Sequence, residues 1–181
     1  MDDQRHTQKL AHIGFATLEL ILRGAIKHLH TETRSLELAT RGIFAKFISP
    51  GIISDTNGRE TFYLDTKNAN VNYWGSSMFA TSNAVDGGHT KVTVPSFTLR
   101  GFFDEIGVNP ADLVVLHMNA EGGEFLAIPQ AIQDGSLCDY VDHLTLDIHH
   151  KLQPKGVHLF DGSDLLEWTK NCTTLKTITV W

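Results

Sequence analysis

The stretch Leu113–His150 constrains this chain more than any other. Leu113–Met118 is nearly all apolar, as expected of a strand covered on both faces. Gly122-Gly123 follow, and then Phe125, Ile128, Ala131 and Ile132 recur at helical steps. Pro129 lies early enough in this run to predict a bend, and Gly135 predicts its end. Over Val141–His150, Leu144, Leu146 and Ile148 alternate with His143, Thr145, Asp147 and His149, the two-residue period of a strand. Strand, helix and strand joined by short connections form a βαβ unit, with parallel strands and a right-handed crossover. The chain is therefore read as α/β.

The flanking sequence extends that frame. Leu10, Ile13, Leu18, Ile21, Leu22, Ile26 and Leu29 fall mostly at three- and four-residue steps, which predicts a helix over residues 9–30. A short second helix is predicted over Ser35–Thr40. An N-terminal helical segment, residues 1–41, thus precedes an α/β body, residues 42–181, within one domain. Ile43–Ile53 has strand character, Asp55-Thr56-Asn57-Gly58 is a turn signal, and Glu60–Asp65 alternates, so a hairpin is expected. Thr66–Thr90 reads as a long polar loop in which Tyr73-Trp74 is a candidate lid. Lys91–Val94 predicts a strand ending at Pro95, and Ser96 a cap for a helix over Phe97–Ile106 closed by Gly107. Ser163 is the expected cap of a helix over Asp164–Lys170, and Thr173–Trp181 is the expected last strand.

Composition removes several function classes. The formal net charge is −6 over 181 residues. No basic run offsets it, so neither nucleic acid nor an anionic membrane surface is expected as a partner. No uninterrupted apolar stretch follows the polar N-terminus, so neither a signal peptide nor a membrane span is expected. Cys138 and Cys172 are too few for a disulfide framework or a zinc site. Two reduced thiols in a cytoplasmic protein is the reading that follows. Asn171-Cys172-Thr173 matches the glycosylation triplet, which is common by chance.

In open parallel sheets ligands bind beyond the carboxyl ends of the strands. That rule selects Asn119-Ala120-Glu121-Gly122-Gly123-Glu124 and Asp147–His150 as two sides of one crevice. The glycines allow close backbone approach. Glu121 and Glu124 lie in a first helical turn, where the dipole favours negative charge, and helix capping accounts for them equally well. Asn119 is a neutral group able to orient a ligand. Asp147 shares a face with His149 and can orient it as a general base, though such a pair also serves structure alone. His117 reads as a neutral, hydrogen-bonded core histidine. No metal site is expected, since His28 and His30 do not share a helix face.

Val114–Glu124, Val-Val-Leu-His-Met-Asn-Ala-Glu-Gly-Gly-Glu, resembles the segment of FkbM-type methyltransferases in which a buried strand runs into Lys-x-Asp-x-Glu-Gly-x-Glu. Phe125–Gln130 and Val141–His150, ending Asp-Ile-His-His, are similar to that family's next helix and strand. Gly58–Asp65, Trp74-Gly75-Ser76-Ser77 and Val92–Phe103 are similar to the segments that precede it. The resemblance spans about residues 42–150. It implies a partial Rossmann-like sheet of the class I methyltransferase type, mostly parallel with flanking helices. It also implies S-adenosylmethionine as cofactor and methyl transfer to a hydroxyl oxygen of a small molecule or glycan. On this reading His149, Asn119 and Glu121 are the catalytic candidates, and Asn119, Glu121, Gly122, Ser54 and Asp55 bind the cofactor.

Two departures bear on activity. His117 and Asn119 stand where the family has lysine and aspartate. The family's glycine-rich cofactor turn has no counterpart before Ile43; His12-Ile13-Gly14-Phe15-Ala16-Thr17 has one glycine in a helical pattern, which is no substitute. The N-terminal βα units are thus expected to be missing or replaced by helix. The alternative is a truncated or degenerate methyltransferase-like protein acting as a binding module, its sheet edge covered by the N-terminal helix or by a second copy.

Overall fold

The structure is a computed structural model that describes residues 8–13, 51–65, 76–79, 89–120, 122–149 and 159–181. The predicted helices beyond Ile13, the Tyr73-Trp74 lid, Glu121 and His150 lie outside these residues.

Four strands form a parallel sheet: β1 (Gln8–Ile13), β5 (Leu113–Asn119), β6 (His143–Asp147) and β7 (Thr177–Val180), in the order β1-β5-β6-β7. The predicted βαβ unit is its centre. Between β5 and β6 run two helices, α2 (Glu124–Gln133) and α3 (Ser136–Tyr140). Pro129 is carried inside α2, and Gly135, at φ 79°, separates the two. The second helix was not foreseen. Val114, Leu116 and Met118 are fully buried, whereas Val115, His117 and Asn119 are half-buried. β5 therefore has one sealed face, not the two expected.

Strand β1 corrects the N-terminal reading. Leu10 and Ile13 fit a helical step, but Gln8–Ile13 is extended and pairs residue for residue with Leu113–Met118. β1 ends at the same edge as β5, and Gly14 follows it in the sequence. Residues 8–13 are therefore strand, and the rest of the predicted helix over 9–30 lies outside the described residues.

A second sheet holds β2 (Ile52–Ile53), β4 (His89–Phe97) and β3 (Gly58–Asp65), in that order. The expected hairpin does not form. β3 pairs antiparallel with β4, and β2 lies parallel to β4 on its other side. The turn residues explain the change. Ser54 N–H continues the β2 contact by donating to Phe97 O at 2.8 Å. The hydroxyls of Ser54 and Thr56 both donate to Glu60 Oε1. Asn57 accepts from Thr98 N–H at 2.9 Å instead of serving a tight two-residue turn. β4 also runs through Pro95. β2 reaches only Ser96 and Phe97, so one side of Pro95 carries no described strand, a position that tolerates the missing donor.

Ser96 is consequently a strand residue, and Thr98 caps α1 (Leu99–Ile106), accepting from Gly101 N–H at 3.0 Å. Gly107, at φ 72°, closes it in the left-handed conformation that glycine reaches without strain. Asp161, not Ser163, caps α4 (Gly162–Thr169) in a reciprocal box with Asp164. The main core joins the sealed faces of β5 and of β6, where Leu144 and Leu146 are buried, to the helices through Leu99, Phe103, Phe125, Ile128, Leu137 and Leu165. Phe62, Leu64 and Val94 form a smaller core in the second sheet.

The two cysteines are paired. Cys138 on α3 and Cys172 beyond α4 form a disulfide with Cα atoms 4.9 Å apart, within the range such bonds need. The reading of two reduced thiols is overturned. Their separation of 34 residues hides the pairing, because α3 and the α4–β7 turn meet only once the sheet is assembled. Among the described residues no helix is long and apolar enough to cross a membrane.

Candidate functional site

β1, β5 and β6 end at one edge, and the groups gathered there descend from local rules. β5 alternates, so its half-buried face ends in His117 and Asn119. β6 alternates in register with it, with Asn119 beside Asp147. After β5 the chain turns through Gly122, at φ 97°, a conformation costly for any residue with a Cβ. Gly123 has an ordinary helical backbone but little room for a side chain. A Cβ there would lie 3.1 Å from Ala120 O and 3.4 Å from Ile53 O. The end of β2 is thus packed against this turn, and Ser54 and Asp55 follow directly.

Glu124 is the centre of the site. It opens α2, and its exposure is 0%. Its carboxylate accepts the N–H of Gly122 at 2.9 Å on one oxygen. The other oxygen accepts the N–H of His149 at 2.7 Å and contacts His149 Nδ1 at 3.1 Å. Burying a carboxylate without a fixed cation costs several kcal/mol unless hydrogen bonds and dipoles offset it. Two backbone donors, an imidazole and the amino end of a helix do so here. Because Glu124 only accepts while ionised, Nδ1 carries the hydrogen directed at it, and Nε2 is the basic nitrogen.

This geometry revises two assignments. Asp147 does not orient His149. The strand stops at Asp147, and His149 turns toward Glu124, while Asp147 Oδ2 lies 3.7 Å from His117 Nε2. His117 is not a core residue, since its side chain is 37% exposed. Glu124, read from sequence as one of two helix-capping carboxylates, does cap Gly122 but also holds the histidine. Its partner lies 25 positions onward, beyond the reach of any local pattern.

The other candidates fall as follows. Asn119 is at the crevice, and its Oδ1 is buried with no hydrogen-bond partner among the described residues, a state that costs about 1–3 kcal/mol if no other group meets it. Gly122 is in the turn beside it. Ser54 is fully buried, and its hydroxyl contacts Asp55 and Glu60, so that hydroxyl braces the loop behind the turn. Asp55 is half-buried. Among the described residues no three histidine, cysteine or acidic side chains are arranged to hold a metal ion.

Comparison with family models, with curated proteins and with solved structures returns no match.

Proposed function

We propose that this chain carries a methyltransferase domain of the FkbM type, moving a methyl group from S-adenosylmethionine to a hydroxyl oxygen of a small molecule or glycan. The observation that carries the reading is the Glu124–His149 contact, 3.1 Å long, at the carboxyl edge of β5 and β6. It supplies a basic nitrogen at the edge where a parallel sheet binds its ligands.

The crevice residues fit the cofactor in three respects. Asn119 Oδ1 is a buried acceptor, suited to a hydroxyl or ammonium donor. The half-buried carboxylate of Asp147 suits a sulfonium cation. The turn at Gly122 and Gly123 lets backbone come close to a ligand. Strand β1 adds support, because it ends at Ile13 beside Met118, with a glycine next in sequence. The bound cofactor supplies an electrophilic methyl group. The protein's own work is to hold the acceptor oxygen in line and to take its proton. His149 takes that proton at Nε2, and Glu124 fixes the ring and stabilises the imidazolium that results.

A second reading, a binding module without turnover, draws on His117 and Asn119 standing where the family has lysine and aspartate. An assay with methyl-labelled donor and a panel of hydroxylated small molecules and glycans separates the two. Label recovered in an acceptor, and lost in His149→Ala, supports the enzyme. Donor binding with no product from any acceptor supports the module.

A further inference from the structure

We propose that Asn171 is an N-glycan acceptor and that the chain matures in an oxidising secretory compartment. This stands independently of the methyltransferase reading. Two separate observations meet at one turn. Asn171-Cys172-Thr173 is the single Asn-X-Ser/Thr triplet with X other than proline in the sequence. Its middle residue is bonded to Cys138. Alone, such a triplet is a weak signal. The disulfide changes its weight, because cysteines kept among reducing thiols rarely stay paired, and secreted chains carry both features.

The position suits the modification. Asn171 and Thr173 are exposed, and the turn follows α4 directly, with Cys172 N–H donating to Thr169 O at 2.9 Å. That turn leads into β7, so it lies at the amino edge of the parallel sheet. Pro110 and Tyr140, which precede β5 and β6, line the same hollow as Asn171. The Glu124–His149 crevice is at the opposite edge. A sugar on Asn171 extends into water and leaves that crevice open.

The chemistry balances with two co-reactants. The Cys138 and Cys172 thiols give up two protons and two electrons, and an oxidised dithiol carrier is reduced to its dithiol by exchange. The Asn171 side-chain nitrogen then bonds to the anomeric carbon of a lipid-linked oligosaccharyl diphosphate. The bond from that carbon to the phosphate oxygen breaks, the lipid diphosphate leaves, and the amide loses one hydrogen as a proton. The Thr173 hydroxyl completes the triplet that the transferase reads.

The test uses the protein isolated from the cells that make it, with thiols alkylated before lysis and peptides mapped by mass spectrometry. The expected result is a Cys138 peptide crosslinked to the Cys172 peptide. Asn171 in that peptide should become labelled aspartate when a glycan-removing amidase acts in heavy-oxygen water. Thr173→Ala and Asn171→Gln should each lose the sugar with an unchanged circular dichroism spectrum, and Thr173→Ser should keep it. Unmodified Asn171 in the bulk of the protein, or both cysteines recovered as alkylated thiols, overturns the proposal.

Discussion

Glu124 and Asp142 are buried carboxylates at opposite edges of one parallel sheet, exposed by 0% and 5%. Each accepts backbone N–H groups at strand ends: Gly122 and His149 for Glu124, Val114 for Asp142. Their remaining partners differ. Asp142 accepts from Lys176 Nζ at 2.6 Å, and its own carbonyl accepts Lys176 N–H at 2.7 Å. Asp142 thus ties together the starts of β5, β6 and β7, with the Lys176 ammonium as its charge partner. Glu124 instead faces the imidazole of His149, whose Nδ1 lies 3.1 Å from its Oε1. The same carboxylate chemistry thus makes a lysine-bound clamp at one edge and a carboxylate–imidazole pair at the other.

The largest expected effect tests the imidazole edge. His149→Ala should lower methyl transfer about 10²–10⁴-fold in the labelled-donor assay, and should also lower the melting temperature, since buried Glu124 loses its imidazole partner. The comparison breaks if Asp142→Asn lowers turnover as much.

Next come the ties of the amino edge. Cys138→Ser opens a loop spanning 34 residues and should cost about 2–4 kcal/mol in denaturant unfolding. Asp142→Asn deprives the Val114 N–H of a full carboxylate and Lys176 of its charge partner, and should cost about 1–3 kcal/mol.

The same clamp predicts a pH dependence. Burial acts to raise the Asp142 pKa. Hydrogen bonds from Lys176 and from Val114 N–H, with the charges of Lys176 and His143, outweigh it and hold the carboxyl below the usual range. Folded Asp142 therefore binds protons less readily than unfolded. Its contribution is complete above about pH 4 and is lost as pH falls through the folded value. Acid unfolding of Asp142→Asn should lack this component. The smallest effect is expected from Thr98→Ala, which removes the α1 cap for about 1 kcal/mol and leaves both edges otherwise intact.

What was legible in the sequence was local. Leu144, Leu146 and Ile148 against Thr145 and Asp147, with Gly122-Gly123 upstream, identified two strands and the edge between them, because those signals lie within one βαβ unit. Gln8–Ile13 was misread. Leu10 and Ile13 also fit a helix, and only pairing with the distant β5 decides for strand. β2 and β3 flank β4 because Ser54 and Asn57 bond to Phe97 and Thr98 far along the chain. In the site, Asn119, Gly122 and His149 were placed by strand ends. Local spacing marks Glu124 as a cap but cannot show that it holds His149, and the shared strand face points to Asp147 instead. The disulfide was hidden for the same reason, since it links two connections that meet only after the sheet forms.

Calorimetric titration of S-adenosylmethionine into the full chain tests the central claim most directly. The account predicts saturable binding in the micromolar range, about −8 kcal/mol, weakened in Asn119→Ala and retained in Asp142→Asn. No heat of binding, from protein whose circular dichroism shows it folded, would contradict it.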